Sequence, residues 1–405
     1  MEFRTLWLAR LGTVSGRKLA LTAVVIATLG FAYYAARHPM DFRVYHYGAR
    51  GVFDGTRPVY GPTSGLGWPM HYRYPPLFLL LFAPFAILPL GWGAAVWVVL
   101  KVVALCLVGA GFSRRVPRNG TYNLLLPFIF IAPYIIEELR YGNAQFFVFA
   151  LAAAGLFFER EQPVLSAASL ALGISIKVWP LFFVPYLAVR RDWRLVCYTL
   201  VFVAVLAMLP SVYFGFDGNL TLLGQWFSQE THTQLSENEI WFPNQSLRGF
   251  LMRYLTVIDY SQVPDSNYAQ VNFLALEPST VRLIWMGLAM AAYAGFLWLA
   301  RYHRNDDGWL DHALGFCLIA ILEPFTQKYA LAILLWPAIA VGMAPKSRFR
   351  VLLYAATVLV LVQPLAPSAN TQRFLQVLGL DFAAAVLLTC AAAAASLDQR
   401  AHAST

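Results

Sequence analysis

Long uninterrupted apolar runs limit this chain's fold more than any single motif does. Residues 19–37, 92–112, 166–188, 195–213, 281–300 and 375–396 are built mostly from Leu, Val, Ile, Ala and Phe. Shorter runs lie at 75–89, 123–139, 143–158, 310–323, 329–344 and 351–366. About 20 such residues cross a bilayer as a helix. Inside the bilayer only helices and closed barrels satisfy their own backbone hydrogen bonds. The runs lack the two-residue alternation of barrel strands, so they predict a polytopic helical membrane protein of about ten to twelve spans. Composition leads the same way: 59% of residues are hydrophobic and 13% charged, with a mean hydropathy of +0.58. A soluble domain carries about 25% charged residues. With 12 Trp, 20 Tyr and 30 Phe, the chain cannot stay solvated and disordered.

The formal net charge is +9, and the basic residues gather at the ends of apolar runs. Topology and anionic headgroups account for them there. No basic, aromatic-interleaved domain stands outside the runs, which excludes nucleic acid as a partner. Cys106, Cys197, Cys317 and Cys390 all lie in apolar segments and read as small core residues, not disulfides or metal ligands. The first run is followed by no small-residue cleavage site and reads as a retained anchor. Arg4, Arg10, Arg17 and Lys18 precede it, so the N-terminus is expected to be cytoplasmic. The basic turns 190–194, 301–304 and 346–350 should be cytoplasmic too, as should the C-terminus. The polar stretches 38–74, 214–280 and 323–328 then fall on the external face. One conflict arises: Arg114, Arg115 and Arg118 become external if 75–112 is two full spans. Short segments that dip in and return would remove it, where they line a protein cavity. There is no internal repeat and no boundary for a soluble domain, so residues 1–405 read as one integral-membrane unit.

Two ionisable residues stand out. Asp41 follows the first span directly, in HPMDFRVYHYGAR (38–50), with Tyr45 and His46 at helical spacing. A carboxylate held at the membrane surface can serve as a general base towards a hydroxyl in hydrogen-bond reach. The plainer reading is an N-cap for the following helix. Lys177 lies in an apolar run beside Pro180, where a helix must break. An intramembrane lysine there is a functional candidate, against a plainer reading as a lysine snorkelling from a short helix end. Lys101 is a second deep lysine, and Glu137, Glu138 and Arg140 sit near a run's end. Aromatic residues near the predicted interfaces, such as Trp226, Trp241, Tyr60 and Tyr72, fit an aromatic belt.

Four segments in order carry a family resemblance. They are DFRVYHYGARGVFDGTRPVY (41–60), YRYPPLFLLLFAPFAILPL (72–90), YGNAQFF with ALGISIKVWPLFFVPYLAVRRDWR (within 141–194), and NQSLRGFLMRYL (244–255). Together they resemble glycosyltransferase family 87, the polyprenol-phosphate-mannose-dependent mannosyltransferases of the GT-C superfamily. The resemblance implies the GT-C fold: an all-α polytopic membrane protein with about 10–13 transmembrane helices and interfacial helices in the first external loop. It also implies a multi-pass protein of the bacterial inner membrane with its active site external. The late turn departs from the family. Where the family places one or two His, EPFTQKYALAILLWP (323–337) has Gln327, Lys328 and Tyr329.

The chemistry implied by the resemblance is transfer of a sugar, mannose in the family, from a polyprenyl-phosphate donor to a lipid or glycan acceptor, with inversion. Asp41 would be the base. Lys177, Lys328 and Arg140 would hold the donor phosphate, Lys328 as a compact point charge in the histidine's place. Tyr45, His46, His71, Asn143, Gln145, Asn244, Gln245 and Gln327 would line the substrates. A phosphate leaving group needs cations and no nucleotide site, and the sequence has neither a dinucleotide fingerprint nor a phosphate-binding loop. No cofactor is expected and no metal indicated, since no Asp-x-Asp pair occurs and the His residues are scattered, although some GT-C enzymes use a divalent ion. Two other readings compete. A lipid-linked sugar flippase or transporter would need a polar path through the midplane and could lose Asp41. A non-catalytic membrane assembly protein would tolerate loss of both Asp41 and Lys177. The topology has a direct check in a background lacking the four native cysteines. Asp54→Cys should react with an impermeant thiol reagent in intact cells, and Arg191→Cys should stay silent. The opposite pattern would invert the assignment of faces.

Overall fold

The first helices show how proline and short helix length shape the chain. The computed structural model describes residues 14–56, 58–61, 71–115, 125–232, 241–258, 270–301, 308–344 and 347–403, and its regular structure is entirely helical. Helix α1 (Val14–Arg37) stops before Pro39, and an amphipathic helix, α2 (Met40–Phe53), begins at once. Proline has no N–H to continue the first ladder, and it suits a helix start. The apolar and polar residues that α2 buries, Asp41, Phe42, Tyr45, His46 and Ala49, recur at helical spacing along one stripe. Next, α3 (Pro76–Ala86) has 11 residues, a length of about 16 Å, too short to cross a bilayer. Both of its ends lie beside α2. The Tyr74 hydroxyl meets that of Tyr45 at 2.9 Å, and the Leu88 carbonyl is 2.9 Å from His46 Nε2. So α3 returns to the end from which it started, and α4 (Leu90–Arg115) makes the crossing alone. The topological conflict dissolves for Arg114 and Arg115, which end α4 at the far side, with Arg115 donating to the Phe157 carbonyl at 3.1 Å. Arg118 is outside the described residues.

The chain continues through α5 (Leu125–Tyr141), α6 (Gln145–Phe157), α7 (Pro163–Ile176), a 3-10 turn (Trp179–Phe182), α8 (Phe183–Val189), α9 (Trp193–Met208) and α10 (Ser211–Phe214). It then forms α11 (Phe216–His232), α12 (Leu247–Leu255), α13 (Pro278–Ala300), α14 (Trp309–Leu322), a second 3-10 segment (Lys328–Leu334), α15 (Leu335–Met343), α16 (Ser347–Val362), α17 (Ala369–Val377) and α18 (Leu380–Ala403). Among the described residues, five helical stretches are long and apolar enough to cross a membrane. They are Lys18–Arg37, Leu90–Arg115, Trp193–Phe214, Pro278–Ala300 and Leu380–Asp398.

Length and position in the bundle are linked. The long helices α1, α4, α9 and α13 turn Leu21, Ile26, Leu107, Val201, Leu283 and Met290 outward, as a lipid-facing surface requires. The short helices α6, α7, α14 and α15 are enclosed, with Phe149, Leu170, Phe316 and Val341 fully buried. A helix whose ends meet protein does not need the full bilayer length, because its terminal backbone groups find partners inside the bundle. Of the cysteines only Cys317 is a core residue; Cys106, Cys197 and Cys390 face outward on lipid-facing helices.

The described loops gather at two ends of the bundle. Residues 190–192, 308–312 and the adjoining ends of α16 and α18 gather at one end of the bundle. There Arg190 lies 4.0 Å from Asp311, His312 lies 3.4 Å from Glu159 and Arg348 lies 2.7 Å from Asp398. Residues 302–304 and 346 of the basic turns are outside the described residues. The opposite end gathers α2, residues 71–75, α11, α12, the turn 323–328 and α17. Here Gln229 on α11 bridges Gly61 N and the Tyr72 carbonyl at 2.9 and 2.8 Å, while Arg73 pairs with Glu230 at 3.2 Å. Beneath this end, Lys101 Nζ donates to Glu138 Oε1 at 2.8 Å and to the Glu138 carbonyl at 2.7 Å, and both side chains are buried. Removing one member of a buried pair strands the other charge. Lys101→Met should destabilise the protein by about 3–5 kcal/mol, and adding Glu138→Leu should recover most of the loss. Thermal unfolding in detergent measures both; equal melting of wild type and Lys101→Met would show that the pair does not hold the bundle.

Candidate active site

Asp41 is the second residue of α2, and its N-cap position belongs to Pro39, which makes no side-chain cap. The capping reading therefore fails, and the carboxylate is turned instead into the protein. Its Oδ2 accepts from Asn143 Nδ2 at 2.7 Å. Asn143 Oδ1 accepts in turn from Gln145 N at 2.8 Å and from the Tyr74 hydroxyl at 3.4 Å. Gln145 Oε1 accepts from Lys177 Nζ at 2.7 Å. One line of hydrogen bonds thus joins the carboxylate to the ammonium. Tyr45 closes its flank, accepting from Ala144 N at 3.4 Å and meeting Tyr74 through the hydroxyls.

Local structure explains each position. The turn between α5 and α6 needs Gly142, whose φ is +71°; a Cβ there would also stand 3.3 Å from Phe42 Cβ. Trp97 Nε1 holds the Gly142 carbonyl at 2.9 Å. Helix α7 ends at Ile176, and Lys177 is extended at φ −148°, ψ 126°. With Pro180 three residues on, the helix cannot run through, and the ammonium stays at a helix C-terminus, where a cation is favoured. Asp41 lies in the first turn of α2, where an anion is favoured.

The electrostatics follow from burial. Asp41 is 8% exposed. Desolvation pushes its carboxyl above the usual carboxylate range, while the Asn143 bond and the Lys101 and Lys177 charges draw it back. The same burial raises the Tyr45 and Tyr74 hydroxyls, so both stay neutral. Glu323, at the C-terminal end of α14, is also raised by desolvation and drawn back by Lys177. Neither Glu323 nor Tyr74 is among the residues expected from the sequence. For Glu323 the available signal was a lone carboxylate between an apolar run and Pro324. Tyr74, by its local pattern, is one more belt aromatic.

The other expected site residues stand outside this line. Asn244 Nδ2 donates to the Pro324 carbonyl at 3.1 Å, and its Oδ1 accepts from Thr326 N at 3.2 Å and Ser246 N at 3.1 Å. Gln245 donates from its backbone to the Thr326 carbonyl at 2.7 Å and from Nε2 to the Phe242 and Gln376 carbonyls. These two residues brace the turn 323–328 against α12 and α17. Gln327 is the N-cap of the second 3-10 segment and is buried. Lys328 Nζ donates to Gln363 Oε1 at 3.2 Å. Arg140 pairs with Glu137 at 2.8 Å, partly exposed, and lies over the Tyr34 ring. His46 is anchored on Leu88, and His71 is half-buried beside Tyr72.

A polytopic helical membrane protein with a carboxylate and an ammonium joined at one end of its bundle is the class this geometry defines. The chain belongs to glycosyltransferase family 87, whose model matches residues 72–324. That range takes in the turn 142–145, Lys177 and Asn244; Asp41 precedes it. The chain is 31% identical over 193 residues to the polyprenol-phosphate-mannose-dependent alpha-(1-2)-phosphatidylinositol mannoside mannosyltransferase of Mycobacterium tuberculosis (strain ATCC 25618 / H37Rv), covering 43% of this chain and 45% of that protein. It is 25% identical over 291 residues to the protein of the same description from Mycolicibacterium smegmatis (strain ATCC 700084 / mc(2)155), covering 66% and 60%. The matches thus span about half the length of these curated relatives. The brace has its own check. Asn244→Ala removes three hydrogen bonds and should lower stability by about 2–3 kcal/mol, read by thermal unfolding; unfolding like wild type would exclude the brace.

Proposed function

We propose that this protein is a membrane glycosyltransferase that moves mannose from a polyprenyl-phosphate donor to a lipid or glycan acceptor, at the external face of the bacterial inner membrane. The observation that carries the reading is the line Asp41–Asn143–Gln145–Lys177, which joins a buried carboxylate to a half-buried ammonium. The descriptions of both relatives support it, each naming a polyprenol-phosphate-mannose donor and a phosphatidylinositol mannoside. The basic turns at the opposite end of the bundle support an external site, with both termini cytoplasmic.

In this reading Asp41 takes the proton of the acceptor hydroxyl as that oxygen bonds to the anomeric carbon. The bond from that carbon to the phosphate oxygen breaks on the opposite face, so configuration inverts, and the electron pair leaves with the polyprenyl phosphate. Lys177 offsets the charge gathering on the departing phosphate. The lipid tails of donor and acceptor rest in the bilayer and bring their headgroups to the depth of α2. Lys328 and Arg140 are engaged elsewhere, with Gln363 and Glu137, and take the smaller share of phosphate binding.

Activity should rise with pH as Asp41 loses its proton, because the base must be ionised. Burial places that midpoint above an ordinary aspartate's. Asp41→Asn should lower kcat by about 10²–10⁴-fold and abolish this limb. Lys177→Met should raise the donor KM by about 10–150-fold while the acceptor KM stays near wild type, and Lys328→Met should do less. The assay is transfer from radiolabelled polyprenyl-phosphate mannose to phosphatidylinositol mannoside in nanodiscs. Near-normal turnover by Asp41→Asn would remove the base; unchanged donor kinetics in Lys177→Met would remove the cation.

A further inference from the structure

We propose that the turn 142–145 is a positioning device, in which Asn143 holds the base and Gln145 holds the phosphate cation, so that one rigid element sets their spacing. The inference rests on Asp41 and Lys177 acting as argued above. It gives Asn143 and Gln145, expected only to line the substrates, a role exerted through other residues.

The orientation of the Asn143 amide is decided by its partners. Its Oδ1 receives two donors, Gln145 N and the Tyr74 hydroxyl. An amide nitrogen in that position would face Gln145 N–H with no acceptor, so Nδ2 must point at Asp41. This leaves Asp41 Oδ1 for the acceptor hydroxyl and fixes the plane of the carboxylate. Gln145 Oε1 meanwhile takes the Lys177 ammonium. The two residues are adjacent links, since the backbone N–H of Gln145 bonds the side chain of Asn143.

The turn is itself pinned from three sides. Phe42 packs against the left-handed Gly142, Trp97 holds its carbonyl, and Phe146 N donates to Glu138 Oε1 at 3.0 Å. The same carboxylate oxygen receives Lys101 at 2.8 Å, so the buried ion pair fixes the first turn of α6. Catalytic groups need support of this kind, because small errors in spacing cost large factors in rate.

The charged groups that face Asp41 are Lys101 from α4, Glu138 from α5 and Lys177 beyond α7. Tyr45, Tyr74, Tyr141 and Tyr329 surround it as neutral hydroxyls. The Asn143 bond favours the ionised carboxylate. Without it, burial acts less opposed and the proton binds more tightly. Asn143→Ala should therefore move the acidic limb of kcat/KM upward by about one to two pH units. Gln145→Leu should raise the donor KM about tenfold and leave that limb in place.

The experiment measures pH–rate profiles and donor titrations for wild type, Asn143→Ala, Gln145→Leu and Asp41→Asn in nanodiscs. An infrared titration of the Asp41 carboxyl, taken as wild type minus Asp41→Asn, reads the same midpoint with no substrate present. Both effects must appear; a wild-type limb in Asn143→Ala, or a wild-type donor KM in Gln145→Leu, overturns the device. Where Asn143→Ala does not fold, Asn143→Asp keeps the shape and sets a second carboxylate against Asp41. The pair would then share a proton and the limb would again move upward; an unmoved limb overturns the inference as surely. Full turnover by Asp41→Asn overturns the underlying base. An inactive Asp41→Asn with an unmoved Asn143→Ala limb overturns the positioning alone.

Discussion

The bilayer core offers a peptide group no water, and the rest of this structure is an answer to that constraint. Helices satisfy their own backbone, so the apolar runs fold as helices, and the run 166–188 breaks at Lys177 into two. Where a helix falls short of the bilayer, its ends must meet protein, and the short helices α6, α7 and α14 are therefore enclosed by longer ones. The enclosure has a chemical consequence. A turn between short helices lies below the level of the long helix ends, and that is where Gly142, Asn143 and Lys177 are found. Asn143 and Gln145 are buried there, and their hydrogen bonds make up the network around Asp41.

Burial acts most on the carboxylate end of that network. Desolvation disfavours the ionised carboxylate of Asp41, and the Lys177 charge offsets part of that penalty. Asn143 and Gln145 stand between the two, so neither is neutralised by direct contact. A hydroxyl and a phosphate are the ligands such an arrangement suits. At the far end Arg190 pairs with Asp311 and His312 with Glu159, and Tyr186 and Ser396 also bond Arg190 and Asp311.

The braces that hold the site come from distant parts of the chain. Asn244 and Gln245 tie the late turn to α12 and α17, and α11 ties residues 61 and 72–73. Among the described residues, the long polar region between α9 and α13 thus contributes the helices α10, α11 and α12. The family match runs from residue 72 to 324, which takes in α11, α12 and the late turn, while Gly61 and Gln376 brace them from outside it. Asp41 lies before that range, but it is reached by a residue inside it.

Periodicity and charge were enough to read the helical membrane fold, the grouping of loops at two ends, and Asp41, Tyr45 and Lys177 as residues of interest, while Asn143 and Gln145 came from the family resemblance. Asp41 and Lys177 announce themselves locally: a carboxylate after a span and a lysine beside a proline. The rest depends on distance across the fold, which no local pattern carries. That 75–89 returns instead of crossing rests on contacts of Tyr74 and Leu88 with α2. Glu323 joins the site only because α14 ends beside Lys177. Asn244 and Gln245 have the chemistry to meet a sugar, yet their amides serve the backbone of 324–326, a choice made by packing. The sequence by itself determined which groups must be buried, because apolar solvation is set by composition and period. Only the tertiary structure decided which buried group meets which, because hydrogen bonds are directional and short.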